Sequence, residues 1–141
     1  NVPLWNKIYG SKGFVQVQFL IPSKKFKEIL SEISEFMKNN KVFSPFIILK
    51  KFEEKGKYMN FYGSGYSLSF DFPINKKYNI LSEFLNKLFK KHHLKVNFTK
   101  DLITMKNNAN NYKNFNKFKS EISKINRNKK INSLFSNRLS I

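Results

Sequence analysis

Phe14-Val15-Gln16-Val17-Gln18-Phe19-Leu20-Ile21, closed by Pro22, decides how this chain folds. Side chains alternate across a strand, so Val15, Val17, Phe19 and Ile21 form one wholly apolar face, while Phe14, Gln16, Gln18 and Leu20 point the other way. The apolar face demands a core. The two amides need partners, and either a structural network or a bound ligand supplies them. Proline cannot continue the ladder, which ends the strand at Pro22.

Outward from this strand the periodicity switches. Ser23 is placed to cap a helix running to about Asn39, with Phe26, Ile29, Leu30, Ile33, Phe36 and Met37 at helical spacing and Lys and Glu on the opposite face. Residues 43–52 predict a second strand, apolar until Lys50, and 58–62 a third. Gly63-Ser64-Gly65 predicts a turn before an alternating strand over 66–72, stopped by Pro73. A second amphipathic helix carries Tyr78, Leu81, Phe84, Leu85, Leu88 and Phe89. A short strand over 94–98 then delivers Thr99, Lys100 and Asp101. Short links between the middle strands favour antiparallel pairing. The expected fold class is α+β, a mostly antiparallel sheet with helices on one face. Beyond Asp101 the chain turns polar and Asn-rich, with a loop expected over 106–116 and a weaker helix suggested by Tyr112, Phe115, Phe118, Ile122 and Ile125. A small cluster of Leu134, Phe135 and Leu139 closes the chain, too thin for a core of its own and expected to dock on something outside it.

The chain has 141 residues and no cysteine, which removes disulfide frameworks, thiolate metal sites and cysteine nucleophiles. It begins at Asn1 rather than Met, which we read as a piece of a longer chain or a processed product. No stretch has the roughly 18 consecutive apolar residues of a membrane helix. The net charge of +18 invites a nucleic-acid reading. Against it, Arg127 and Arg138 are the only arginines among 27 basic residues, while Asn occurs 19 times and Ala once. Arginine is the preferred residue for bidentate recognition of bases and phosphates. A lysine- and asparagine-rich solvated surface is the plainer explanation, and nucleic acid is not the expected partner.

HExxH, GxSxG, GxGxxG and GxxxxGK are all missing. His92 and His93 are adjacent and diverge by about 100° on a helix, so they read as a polar helix end and no metal centre is expected. Asp71, just before Phe72-Pro73, reads as a strand-end acceptor. Lys50, at the end of an apolar run, either snorkels to water or binds an anion. Lys100 and Asp101, directly after a strand, are candidates for function.

The blocks Trp5-Asn6-Lys7-Ile8-Tyr9-Gly10 and Gly13-Phe14-Val15-Gln16-Val17-Gln18-Phe19, with Pro22, resemble the W-N-x-x-Y-G-x-x-G-F-x-Q-x-Q-F-x-x-P signature of the decaprenylphosphoryl-β-D-ribose 2-oxidases, FAD enzymes of the vanillyl-alcohol-oxidase type. The likeness continues in Phe46–Phe52, in Gly65-Tyr66-Ser67-Leu68-Ser69-Phe70-Asp71-Phe72-Pro73, in Thr99-Lys100-Asp101 and, loosely, in Ser133–Leu139. His93-Leu94 stands where the family has Gly-Gly, Asn97 where it has Tyr, and Asn126-Arg127 where it has Asp-Pro.

The resemblance implies that residues 1–98 are the C-terminal portion of a substrate domain roofing a flavin. Residues 99–141 would return to a FAD-binding domain whose N-terminal part lies outside this chain, so this piece alone would not turn over substrate. It implies FAD as cofactor and oxidation of a secondary alcohol of a sugar, a polyprenyl-phosphoryl ribose or, alternatively, an aldonolactone. It further implies catalytic roles for Lys100 and Gln18, cofactor contacts from Lys100, Gln16, Gln18 and Asp101, and substrate contacts from Lys50, Ser67, Ser69, Trp5 and Tyr9. An epimerase-type reductase as partner, and a location in the cytoplasm or at the inner face of the plasma membrane, follow from the same likeness. A basic nucleic-acid-binding module is the reading from another class.

Overall fold

The computed structural model describes residues 4–56, 59–128 and 130–141, with the side chains of Trp5 and Asn6 outside that description. After a 3-10 turn over Trp5–Tyr9, the elements are β1 (Phe14–Ile21), α1 (Phe26–Asn39), β2 (Phe46–Glu54), β3 (Gly63–Pro73), α2 (Tyr78–His92), β4 (Lys95–Val96), α3 (Lys106–Ala109), α4 (Phe115–Ile125) and α5 (Leu134–Leu139). The strands form one antiparallel sheet in the order β2-β3-β1-β4. This is the α+β arrangement expected from the periodicity.

The strand that decides the fold lies between β3 and β4. Its odd-numbered residues, with Leu68, Phe70 and Phe72 of β3, meet Ile29 and Ile33 of α1 and Leu81, Leu85, Leu88 and Phe89 of α2. Val17, Phe19, Ile21, Ile29 and Phe89 are fully excluded from water, each side chain contributing roughly 1.5–3 kcal/mol. Phe36 of α1 stacks on Phe84 of α2 at 3.9 Å between ring centres, which locks the two helices side by side.

Three local expectations are corrected. No strand runs through 59–62, and Tyr58 lies outside the described residues. Gly63-Ser64-Gly65 is not a turn but the opening of β3. Gly65 sits at φ +145°, and a Cβ there would collide with the carbonyl oxygen of Ile21. Glycine therefore lets β3 pass against the end of β1. At the start of α1, Ser23 opens a separate 3-10 turn over Ser23–Lys25, and no side-chain bond caps the helix.

The end of α2 is a left-handed cap. His93 adopts φ 54°, its N–H donates to Lys90 O, and Leu94 N–H reaches back to Phe89 O. The polar stretch after Asp101 docks here through asparagines. Asn86 Nδ2 donates to Ile103 O, and Asn86 Oδ1 accepts from Met105 N–H and Asn108 Nδ2, all at 2.8 Å. Asn111 Nδ2 donates to Phe89 O, which also accepts from Leu94 N–H, and to Leu94 O just beyond the helix. Tyr112 O–H donates to Val96 O at 2.8 Å. Tyr112 anchors a second apolar cluster with Ala109, Phe115 and Leu139. Of the closing hydrophobic trio, Leu139 is fully buried and Leu134 is exposed.

Candidate functional site

The sheet face turned away from α1 and α2 collects the polar residues of three strands. Pairing registers set them in rows: Gln16 beside Asp71 and Phe46, Gln18 beside Ser69 and Ile48, and Leu20 beside Ser67 and Lys50. Five of the sequence-predicted residues thus share one face because every strand contributes alternate positions to it. Ser67, Ser69 and Asp71 are buried, whereas Lys50 is exposed near the sheet edge.

Two hydrogen-bonded chains order the face. In the first, Tyr9 O–H donates to Asp71 Oδ2 at 3.0 Å and Gln16 Nε2 donates to Asp71 Oδ1 at 2.8 Å. The Tyr9 ring stacks on Phe14 at 4.2 Å. Burial, reinforced by the hydrogen bond to Asp71 and by its charge, pushes the Tyr9 hydroxyl up to about 12, so it is a neutral donor and not a base. In the second chain, Gln18 Nε2 donates to Ser67 Oγ at 2.7 Å, and Gln18 Oε1 accepts from Asn97 Nδ2 at 2.7 Å. Asn97 Oδ1 then accepts from Thr99 N–H and from Thr99 O–H, at 3.2 and 2.8 Å, and caps the 3-10 turn Phe98–Lys100.

That turn presents Lys100 to solvent beside a cleft of about 560 Å³, lined among others by Gln16, Thr99, Lys100, Phe135 and Arg138. Two cations and an amide thus face one space, a setting for an acceptor-rich or anionic group. Asp101 is different. Its Oδ1 accepts from Ile103 N–H and Thr104 N–H, and Arg138 Nη2 donates to both its Oδ2 and its carbonyl at 3.1 Å. The carboxylate is fully shielded from water; it braces the turn and holds Arg138, with no exposed oxygen to offer a ligand.

Gln16 and Lys100 are brought to one cleft, and Gln18 is tied to it through Asn97 and Thr99. Lys50, Ser67 and Ser69 share the face but do not line that cleft. Ser69 Oγ is buried with no hydrogen-bond partner among the described residues. The side chain of Trp5 lies outside the described residues. Asn97 and Arg138 are the functional candidates that sequence reasoning did not assign. Asn97 was marked by its place between β4 and Lys100 and as a departure from the family's Tyr, and Arg138 by its rarity in a lysine-rich chain and its place in the loose closing likeness.

The two histidines do diverge, but His92 is not a solvated helix end. It is 4% exposed, and its Nε2 lies 2.8 Å from Glu32 Oε1 of α1. Lys91 Nζ lies 2.9 Å from the same oxygen. Burial raises the Glu32 carboxyl, and Lys91 and His92 overcome it, so the net direction is down.

Among known proteins, no family model and no curated sequence matches this chain. No helix among the described residues is long and apolar enough to cross a membrane.

Proposed function

We propose that this chain forms part of a FAD-linked oxidoreductase acting on a secondary alcohol of a sugar, with the polar sheet face and the Lys100 cleft as its share of the site. The observation that carries the reading is the convergence of Gln16, Lys100 and Arg138 on one cleft, continuous through Gln18 with a face bearing Ser67, Ser69 and Lys50. The residues lining the cleft suit a planar, acceptor-rich ring, since Lys100 and Arg138 only donate and the Gln16 amide keeps a second N–H beyond its bond to Asp71; outside the cleft, Ser69 Oγ is a buried hydroxyl lacking a partner among the described residues.

Lys100, Gln16 and Gln18 would hold the ring, which when bound supplies a hydride acceptor. Lys100 would contribute a cation where negative charge develops, which stabilises that charge. Asn97 holds Gln18 with its amide nitrogen toward Ser67, so the orientation of that amide is set before any ligand arrives. Lys50, exposed on the same face, suits the phosphate of a polyprenyl-phosphoryl pentose, and Ser67 and Ser69 suit its hydroxyls. Asp71 is engaged by Tyr9 and Gln16 and acts through them as a positioning residue.

The test uses the longest natural protein that contains this chain. Under anaerobic conditions, a polyprenyl-phosphoryl ribose analogue should bleach the visible absorbance of a co-purifying flavin, aldonolactones should do so less well, and Lys100→Ala should abolish it. Failure to co-purify or reconstitute any flavin would sink the reading.

A further inference from the structure

We propose that Glu28, Glu32 and His92 form a binding site for a divalent transition cation of zinc's class, clamping α1 to α2 on the side of the sheet opposite the candidate functional face. One ligand atom from each of the three lies within 4.8 Å of the others. Glu28 and Glu32 are one helical turn apart on α1 and so project along one stripe. His92 is the last residue of α2 and meets them across the helix seam. Its Nε2 is 2.8 Å from Glu32 Oε1 and its Nδ1 is 4.0 Å from Glu28 Oε1.

The placement is unusual for this composition. The chain holds nine acidic residues against 27 basic ones, yet two of the nine converge on a single imidazole that is almost fully buried. Glu32 pairs closely with Nε2, while Glu28, at 4.0 Å from Nδ1, makes only a long contact with the same ring. One imidazole nitrogen and two carboxylates make a mixed donor set that suits zinc and its neighbours. Calcium and magnesium favour all-oxygen shells with more ligands.

The geometry is close to what a cation requires. A tetrahedral site with bonds of about 2.1 Å sets its ligand atoms about 3.4 Å apart. The widest separation here, at most 4.8 Å, must contract by no more than about 1.4 Å to reach that spacing. The side chain of Glu28 is 56% exposed and free to supply the movement. Lys91 Nζ now occupies Glu32 Oε1, and its side chain is 60% exposed, so it can swing into water as the cation arrives. Three protein ligands leave a fourth position for water.

The experiment is calorimetric titration of zinc into the chelator-treated full chain at neutral pH, with thermal melting of the same samples. One equivalent of zinc should bind and raise the melting temperature, since the ion holds two helices that separate on unfolding. His92→Gln should abolish binding. Glu28→Gln removes no hydrogen bond recorded among the described residues, so its fold is safe. It should weaken binding by about tenfold or more, as loss of a direct ligand must exceed the effect of outer partners. His93→Asn, at the adjacent exposed position, should bind as the wild type does. Absence of a zinc-dependent heat and melting shift in the wild type overturns the proposal. So does equal zinc affinity in Glu28→Gln and the wild type, which would reduce the cluster to a helix-pairing ion pair.

Discussion

Asn97→Ala tests whether the two halves of the candidate site are one network. The side chain of Asn97 makes three hydrogen bonds: one to Gln18 Oε1 at 2.7 Å, and two from Thr99, at 3.2 Å from its N–H and 2.8 Å from its hydroxyl. The Thr99 bonds amount to a turn cap, whose loss costs about 1 kcal/mol. The Gln18 bond contributes a further ~1 kcal/mol net. The total, about 2 kcal/mol, corresponds to a fall of about 7 °C in melting temperature for a chain of this length. Urea denaturation of Asn97→Ala, Gln18→Ala and the double variant isolates the pairwise part, and the coupling between them should be about 1 kcal/mol. Additivity within about 0.3 kcal/mol would refute the argument that Asn97 orients Gln18. On the proposed oxidoreductase reading, the same substitution should lower kcat more than it raises KM. Asn97 acts through Gln18 and the turn bearing Lys100, without touching substrate itself.

Gly65→Ala should destabilise the fold by roughly 3 kcal/mol or more, because the new Cβ meets the Ile21 carbonyl oxygen at a backbone angle only glycine adopts readily; a loss below about 1 kcal/mol in chemical denaturation would contradict the observed strand crossing. His93→Gly should stabilise by about 1 kcal/mol, relieving the left-handed conformation at the end of α2, and an unchanged or lower denaturation midpoint would count against the cap geometry. Glu32 has its carboxyl held below the usual value of 4.5. Its charged form is therefore favoured in the folded state, and the contribution is present above pH 4.5 and drains away as pH falls through the lower folded value. Glu32→Gln should accordingly be less stable than wild type at neutral pH, with the gap narrowing below pH 4.5; a gap that widens in acid would reverse the assigned sign.

Much of the fold was legible because period two and period 3.6 are local properties. Val15, Val17, Phe19 and Ile21 declared a buried strand face, and the stripes through Ile29 and Leu85 declared two helices against it. The opening of β3 was misread because glycine marks both turns and close backbone approaches. Only the position of Ile21 shows which of these Gly65 serves. The asparagine excess looked compositional, yet Asn86, Asn97, Asn108 and Asn111 each satisfy particular partners that lie up to 79 residues away. No periodicity encodes such pairings.

What the sequence determined by itself was the set of faces: which side chains of each strand and helix point together, and hence that Gln16 and Gln18 stand opposite the core. What only the tertiary structure decided was their company. Strand register set Gln16 against Asp71, a left-handed cap turned the chain back so that Asn97 reached Gln18, and the packing of α1 on α2 brought Glu28 and Glu32 to His92. Faces follow from the geometry of one element. Company depends on how separate elements come together, and that is settled by the shared core they bury.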